Sequence, residues 1–135
     1  MGSDIHLYIE KRNKSNKWEV LILPEDLIPN DRNYRLFYFL AEVRMDIPWE
    51  YGGQVSERGI PEDCSIPDGF MDTDSHGYTY AYLDEILALP WKAADLDQCF
   101  FYLFFRYIFP RIAKDYNSYH FEEARNIRIV MWFDS

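Results

Sequence analysis

Two short patterns hold the side chains best suited to chemistry. Asp4-Ile5-His6 stands at the start of the sequence, and Asp74-Ser75-His76 repeats its Asp-x-His spacing in the second half. On a strand, residues two apart project side by side from one face, so each pattern presents a carboxylate beside an imidazole. Together Asp4, His6, Asp74 and His76 could ligate zinc, manganese or iron, with Glu10 as a base, which would make a metal-dependent hydrolase. The plainer reading is a solvated strand face at Asp4 and His6, and a turn capped by Asp74 and Ser75 before Gly77. The sequence has no His-x-x-x-His or Cys-x-x-Cys to favour the metal.

A second set combines cations and rings. Arg32, Arg44 and Arg58 stand in a strongly acidic chain, and a guanidinium fork matches phosphate or carboxylate. With Asn33 and Tyr34 next to Arg32, and tyrosine and tryptophan faces able to stack a base, they suit a nucleotide-like anion. The alternative is ion pairing with some of the chain's own 23 acidic residues. Ser65 or Cys64 with His6 or His76 is a weaker, nucleophilic option, since the Gly-x-Ser-x-Gly elbow is absent. Phosphate-cradling and dinucleotide glycine loops are absent as well.

Several elements must position these groups. Asp4 to Glu10 alternates as a strand, with Ile5, Leu7 and Ile9 on the core face and Asp4, His6, Tyr8 and Glu10 on the other. Trp18 to Leu23 reads as its hairpin partner. Asp31 is placed to cap a helix from about Arg32 to Val43, whose stripe is Leu36, Phe37, Leu40 and Val43. Residues 46–74 are punctuated by proline and glycine and read as an ordered loop able to close over a ligand. A strand with Tyr78, Tyr80 and Tyr82 on one face follows, then a short helix from Leu83 to Leu89 stopped by Pro90. The run Cys99 to Phe105 is apolar nearly all round, which predicts a buried helix capped by Asp95 or Asp97. Pro110 predicts a kink or break, with a weaker helix from Arg111 to about Tyr116. Ile127 to Phe133 is a β-branched and aromatic strand, apolar enough for the centre of a sheet beside the first. The expectation is a single α+β domain over residues 1–135: a mostly antiparallel sheet with helices packed on one face.

Composition narrows the partners. A net charge of −9 opposes direct nucleic-acid binding, and no apolar run is long enough to span a bilayer. Cys64 and Cys99 make no metal-ligand spacing, and nothing resembles a secretion leader, so both thiols are expected to be free in a reducing cytoplasm. No cofactor is implied, and an oligomer is left open.

Met1-Gly2-Ser3-Asp4-Ile5-His6-Leu7-Tyr8-Ile9-Glu10, Asp31-Arg32-Asn33-Tyr34, Arg58-Gly59-Ile60-Pro61 with Ser65, Asp74-Ser75-His76, and Ile127 to Asp134 occur in an order that resembles a family of small phage and prophage proteins opening Met-Gly-Cys-Asp-Ile-His. The chain departs from that family at Ser3, which stands where cysteine is usual. The resemblance implies a phage setting in a host cytoplasm, where small proteins often counter host defence. The leading expectation is therefore a cytosolic binding protein that sequesters a small anionic, nucleotide-like ligand with Asp4, His6, Arg32, Asn33, Tyr34, Arg58, Asp74 and His76. The alternatives are the paired Asp-x-His hydrolase and an acidic protein that inhibits a basic host protein, such as a defence protein, by surface mimicry.

Overall fold

A computed structural model describes residues 3–43, 48–56, 58–65, 75–112 and 121–134. Four strands, β1 (Ile5–Arg12), β2 (Trp18–Val20), β3 (His76–Tyr82) and β4 (Ile127–Phe133), form one antiparallel sheet in the order β2-β1-β4-β3. β4 is central: all its residues but Arg128 are apolar, and every residue in it is buried. Ile5, Leu7 and Ile9 of β1 lie opposite Phe133, Met131 and Ile129 of β4. Directly opposed residues share a face, so these six side chains make one apolar surface.

Three helices cover it: α1 (Tyr34–Ala41), α2 (Leu83–Ala88) and α3 (Phe100–Leu103). The last continues as a π-helical stretch, Phe104–Ile108, and helical backbone runs on to residue 112. Their buried members, including Leu36, Phe37, Leu40, Leu83, Ile86, Phe101, Phe104, Phe105 and Phe109, form one core with the inner face of the sheet. The fold is the expected α+β domain, with helices on one face.

Local details depart from the sequence reading for physical reasons. The cap of α1 is Asn33, whose Oδ1 accepts from Leu36 N at 3.0 Å, so the helix begins two residues later than Arg32. It ends at Ala41 because Glu42 turns left-handed, with φ 57°, and donates its N–H to Tyr38 O. Residues 53–55 then donate to the carbonyls of Tyr38, Phe39 and Leu40, giving Tyr38 a second donor and supplying partners to the carbonyls of Phe39 and Leu40 at the end of α1. β2 stops at Val20 rather than Leu23. Pro110 lies within helical backbone, without a break. In β3 the register shifts between His76 and Thr79, where Gly77 has φ +66°, and a Cβ there would lie 2.9 Å from the Phe133 ring. Gly77 therefore permits both the bulge and the close approach of β3 to β4.

Candidate functional site at the outer sheet face

The face of the sheet turned away from the helices divides into a covered half and an open half. In the covered half, Glu10 and Arg128 lie opposite each other in the β1–β4 register and are almost completely buried, at 0% and 2% exposure. Arg128 Nε donates to Glu10 Oε1 at 2.8 Å, and Nη1 donates to Asp63 Oδ1 at 2.8 Å. The guanidinium also stands 4.0 Å from the centroid of the Trp18 ring. Glu10 Oε2 accepts from both the amide and the hydroxyl of Ser65, at 2.7 and 2.5 Å. Residues 58–65 thus run from β3, where Arg58 N donates to Thr79 Oγ1 and Gly59 N to Tyr78 O, across to β1, where Ser65 meets Glu10. This strap is what allows a charged pair to be buried there. The two ions offset one another, with Arg128 Nη2 also 2.8 Å from Glu10 Oε1, and Asp63 and Ser65 take up part of their remaining hydrogen-bonding capacity.

The open half lies around the start of β1 and the end of β4. His6 Nε2 is 2.5 Å from Asp134 Oδ2, while Asp134 Oδ1 accepts the amide of Asp4 at 3.1 Å. Arg32 donates from Nε and Nη2 to the two carboxylate oxygens of Asp4, at 2.7 and 3.4 Å. His6 and Tyr8 both stack with Trp132, with centroids 5.7 and 5.6 Å apart. An open groove of about 390 Å³ lies beside them, between residues 5–8 of β1 and residues 28–30, with Trp132 contributing to its lining.

The residues singled out in the sequence are distributed unevenly. Asp4, His6 and Arg32 converge at the open half. Asn33 is committed to capping α1, and Tyr34 accepts the Ser3 amide at 3.2 Å. His76 lies across β4 from β1, opposite Phe133, and its Nδ1 is 2.9 Å from the Phe133 carbonyl oxygen. Asp74 and Arg44 lie outside the described residues. Arg58 is not at the open half. Its fork closes on both oxygens of Glu85, at 2.9 Å each, and Nη1 also donates to Tyr80 O. Among the described residues no group of three His, Cys, Asp or Glu side chains could hold a metal ion. Asp134 and Trp132, which the sequence reading did not mark, are brought to His6 by the β1–β4 register, so their role is visible only once that pairing is known.

Three carboxyls are held below their ordinary values by arginine. The hydrogen bond from Arg32 lowers Asp4, that from Arg128 lowers Asp63, and that from Arg58 lowers Glu85, each against an opposing effect of burial. A depressed folded-state pKa means that the unfolded chain binds protons more readily in acid. The stability these pairs contribute is complete above the ordinary carboxylate range and is lost as pH falls below about 4. The midpoint of a denaturant melt should therefore decline on acidification through that window. In the triple variant Asp4→Asn, Asp63→Asn, Glu85→Gln the decline should be shallower; an unchanged slope would contradict these assignments.

Ser3 offers a separate test. It is fully buried, and its Oγ has no hydrogen-bond partner among the described residues. A buried hydroxyl without a partner costs about 1–3 kcal/mol. Ser3→Cys, which exchanges the hydroxyl for a weakly polar thiol, is expected to raise the melting midpoint, and a lower midpoint would show that the hydroxyl is satisfied in solution.

No protein-family model matches this chain, and neither a curated protein nor a solved structure is significantly similar to it.

Proposed function

We propose that this chain is a binding protein that engages a basic surface or segment of another protein through the open half of its outer sheet face. The observation that carries this reading is the way the arginines are used. Arg32, Arg58, Arg125 and Arg128 each pair with a carboxylate of the chain itself, at Asp4, Glu85, Asp84, and Glu10 with Asp63. Cations so engaged, the buried Arg128 and the part-buried Arg58 above all, are poorly available to a ligand phosphate. With 23 acidic residues against 14 basic ones, the surplus charge presented outward is negative. Such a field raises the encounter rate with basic partners and repels anions. In the phage setting implied by the resemblance, the partner would be a basic host protein, including one of a defence system.

A small nucleotide-like anion is the second reading. It is favoured by the exposure of the Arg32–Asp4 pair, whose side chains are 57% and 40% accessible. Exposed ion pairs are worth about 0–1 kcal/mol, so a phosphate could open this one at little cost. Native mass spectrometry of the protein purified from host cells separates the two readings. The first predicts a bound basic polypeptide that dissociates with salt; a stoichiometric nucleotide in its place would establish the second.

Arg58 then acts as an anchor for the strap rather than as a ligand clamp. Arg58→Lys keeps the charge but loses the fork, and Arg58→Ala loses both. Each is expected to lower stability by about 1 kcal/mol or less, as for a partly exposed pair, with alanine the larger effect. A denaturant melt measures this, and a larger loss for lysine than for alanine would contradict it.

A further inference from the structure

The direction of each backbone group along β1 follows from its two pairings. In an antiparallel ladder, successive residues turn their N–H and C=O alternately toward one neighbour and the other. Asp134 N donates to Asp4 O at 3.1 Å, in register with the β1–β4 ladder. Asp4, His6, Tyr8 and Glu10 therefore face β4. On the other side, Leu21 N donates to Ile9 O at 2.7 Å, in register with the β1–β2 ladder, and Lys11 pairs with Glu19. Ile5, Leu7, Ile9 and Lys11 therefore face the β2 side.

β2 does not extend far enough to use them all. It ends at Val20, opposite Glu10, and Leu21 adds one bond beyond it. The N–H and C=O groups of Ile5 and Leu7 point past this end, and no described residue hydrogen-bonds to them. They face the groove whose far wall is residues 28–30. Pro29 in that wall has no N–H to offer. A strand edge left with unpaired groups is a template for another strand.

We propose that the open edge of β1 at Ile5 and Leu7 is a strand-addition site, which takes an extended, basic segment of a partner protein as an additional strand in the groove. This rests on the reading of the chain as an acidic protein-binding module, and names what part of the partner it takes. The segment is extended because only a strand can satisfy alternate N–H and C=O groups along an edge. It is short: residues 5–9 at about 3.4 Å each give an edge of about 14 Å, enough for roughly four residues. It is basic because the ends of the groove are acidic. Asp4 and Asp134 stand at one end, where Arg32 pairs with Asp4 and His6 with Asp134, and the exposed Asp26 and Asp31 flank the far wall along the chain. Residues that turn toward Trp132 and Ile28 are apolar, which gives the segment alternating character.

The test is residue-resolved amide exchange by NMR on the full chain. The probe is a capped peptide of alternating lysine and valine, about eight residues long, near the upper range of natural strands. In the free protein the amides of Ile5 and Leu7 should exchange quickly, and those of His6 and Tyr8 slowly. The peptide should slow Ile5 and Leu7 by about tenfold or more while leaving His6 and Tyr8 as they were. Methylating alternate peptide nitrogens, on the face that meets β1, should abolish that protection without any change to the protein. A peptide of alternating glutamate and valine should give none. Equal binding by the methylated and plain peptides would overturn strand addition while leaving the acidic binding surface intact. Failure of every lysine peptide to bind, with a nucleotide binding instead, would remove the underlying reading as well. Protection of Ile5 and Leu7 that rises with protein concentration alone would assign the edge to a second copy of this chain and overturn the proposal of a partner segment.

Discussion

Arg128→Ala is expected to destabilise the protein by about 3–5 kcal/mol, because it leaves the Glu10 carboxylate buried with no counter-ion. Glu10 has no solvent exposure, and the strap that covers it is fastened to the same pair through Ser65 and Asp63. The loss should exceed that of Asp63→Asn, since Asp63 is two-thirds exposed, at 67%, and water can replace its bond. The double variant Arg128→Met, Glu10→Leu removes both charges and is expected to recover much of the loss. Denaturant melts of the variants measure this. If Arg128→Ala cost under about 1 kcal/mol, Glu10 would have to reach water, and the covered half of the face would not be closed in solution.

The second large effect is in the core. Phe105→Ala is expected to cost about 3–5 kcal/mol, in the range for emptying a fully enclosed aromatic site. Phe105 has no exposure and packs against Phe101, Phe104 and Phe109 with ring centroids 4.8, 4.9 and 6.0 Å away. Leu103→Ala should cost less, because Leu103 is only half-buried. An equal or larger loss at Leu103 would mean that the helix faces are assigned wrongly.

Those two positions show where the sequence was informative and where it was not. The run Cys99 to Phe105 announces a helix but not its inner face, because almost every residue in it is apolar; the enclosed Phe101, Phe104, Phe105 and Phe109 follow at i, i+3, i+4 and i+8, while Phe100 is 38% exposed. The π-helical turn at Phe104–Ile108, which no local pattern announces, lies in this stretch, and Tyr107 on its outer side is 59% exposed. β1 and β4 were legible because each has a strong pattern of its own: strict alternation in one, an apolar run interrupted only by Arg128 in the other. The start of α1 was ambiguous between Asp31 and Asn33, since both are good caps and only the finished turn shows which side chain reaches Leu36 N.

The candidate site was legible in part for the same kind of reason. Period two puts His6, Tyr8 and Glu10 on the outer face, as the register with Trp132, Val130 and Arg128 bears out. That Glu10 is buried and His6 is exposed depends on a distant segment, residues 58–65, which covers only one end of the strand. Local spacing contains no information about that coverage. The partner of Arg58 was hidden likewise: the fork finds Glu85 because the strap runs beside β3 and α2, and a glycine- and proline-rich segment gives no sign of where it will lie.

The central claim is that the outward surface of this domain selects a basic polypeptide over a small anion. Calorimetric titration of the purified full chain against two probe classes tests it most directly: the alternating lysine-valine peptide, and a panel of linear and cyclic nucleotides. The peptide should bind saturably, more weakly as added salt screens the acidic surface, and the nucleotides should give no heat of binding. Saturable nucleotide binding in a sample that ignores the peptide at low salt would contradict it.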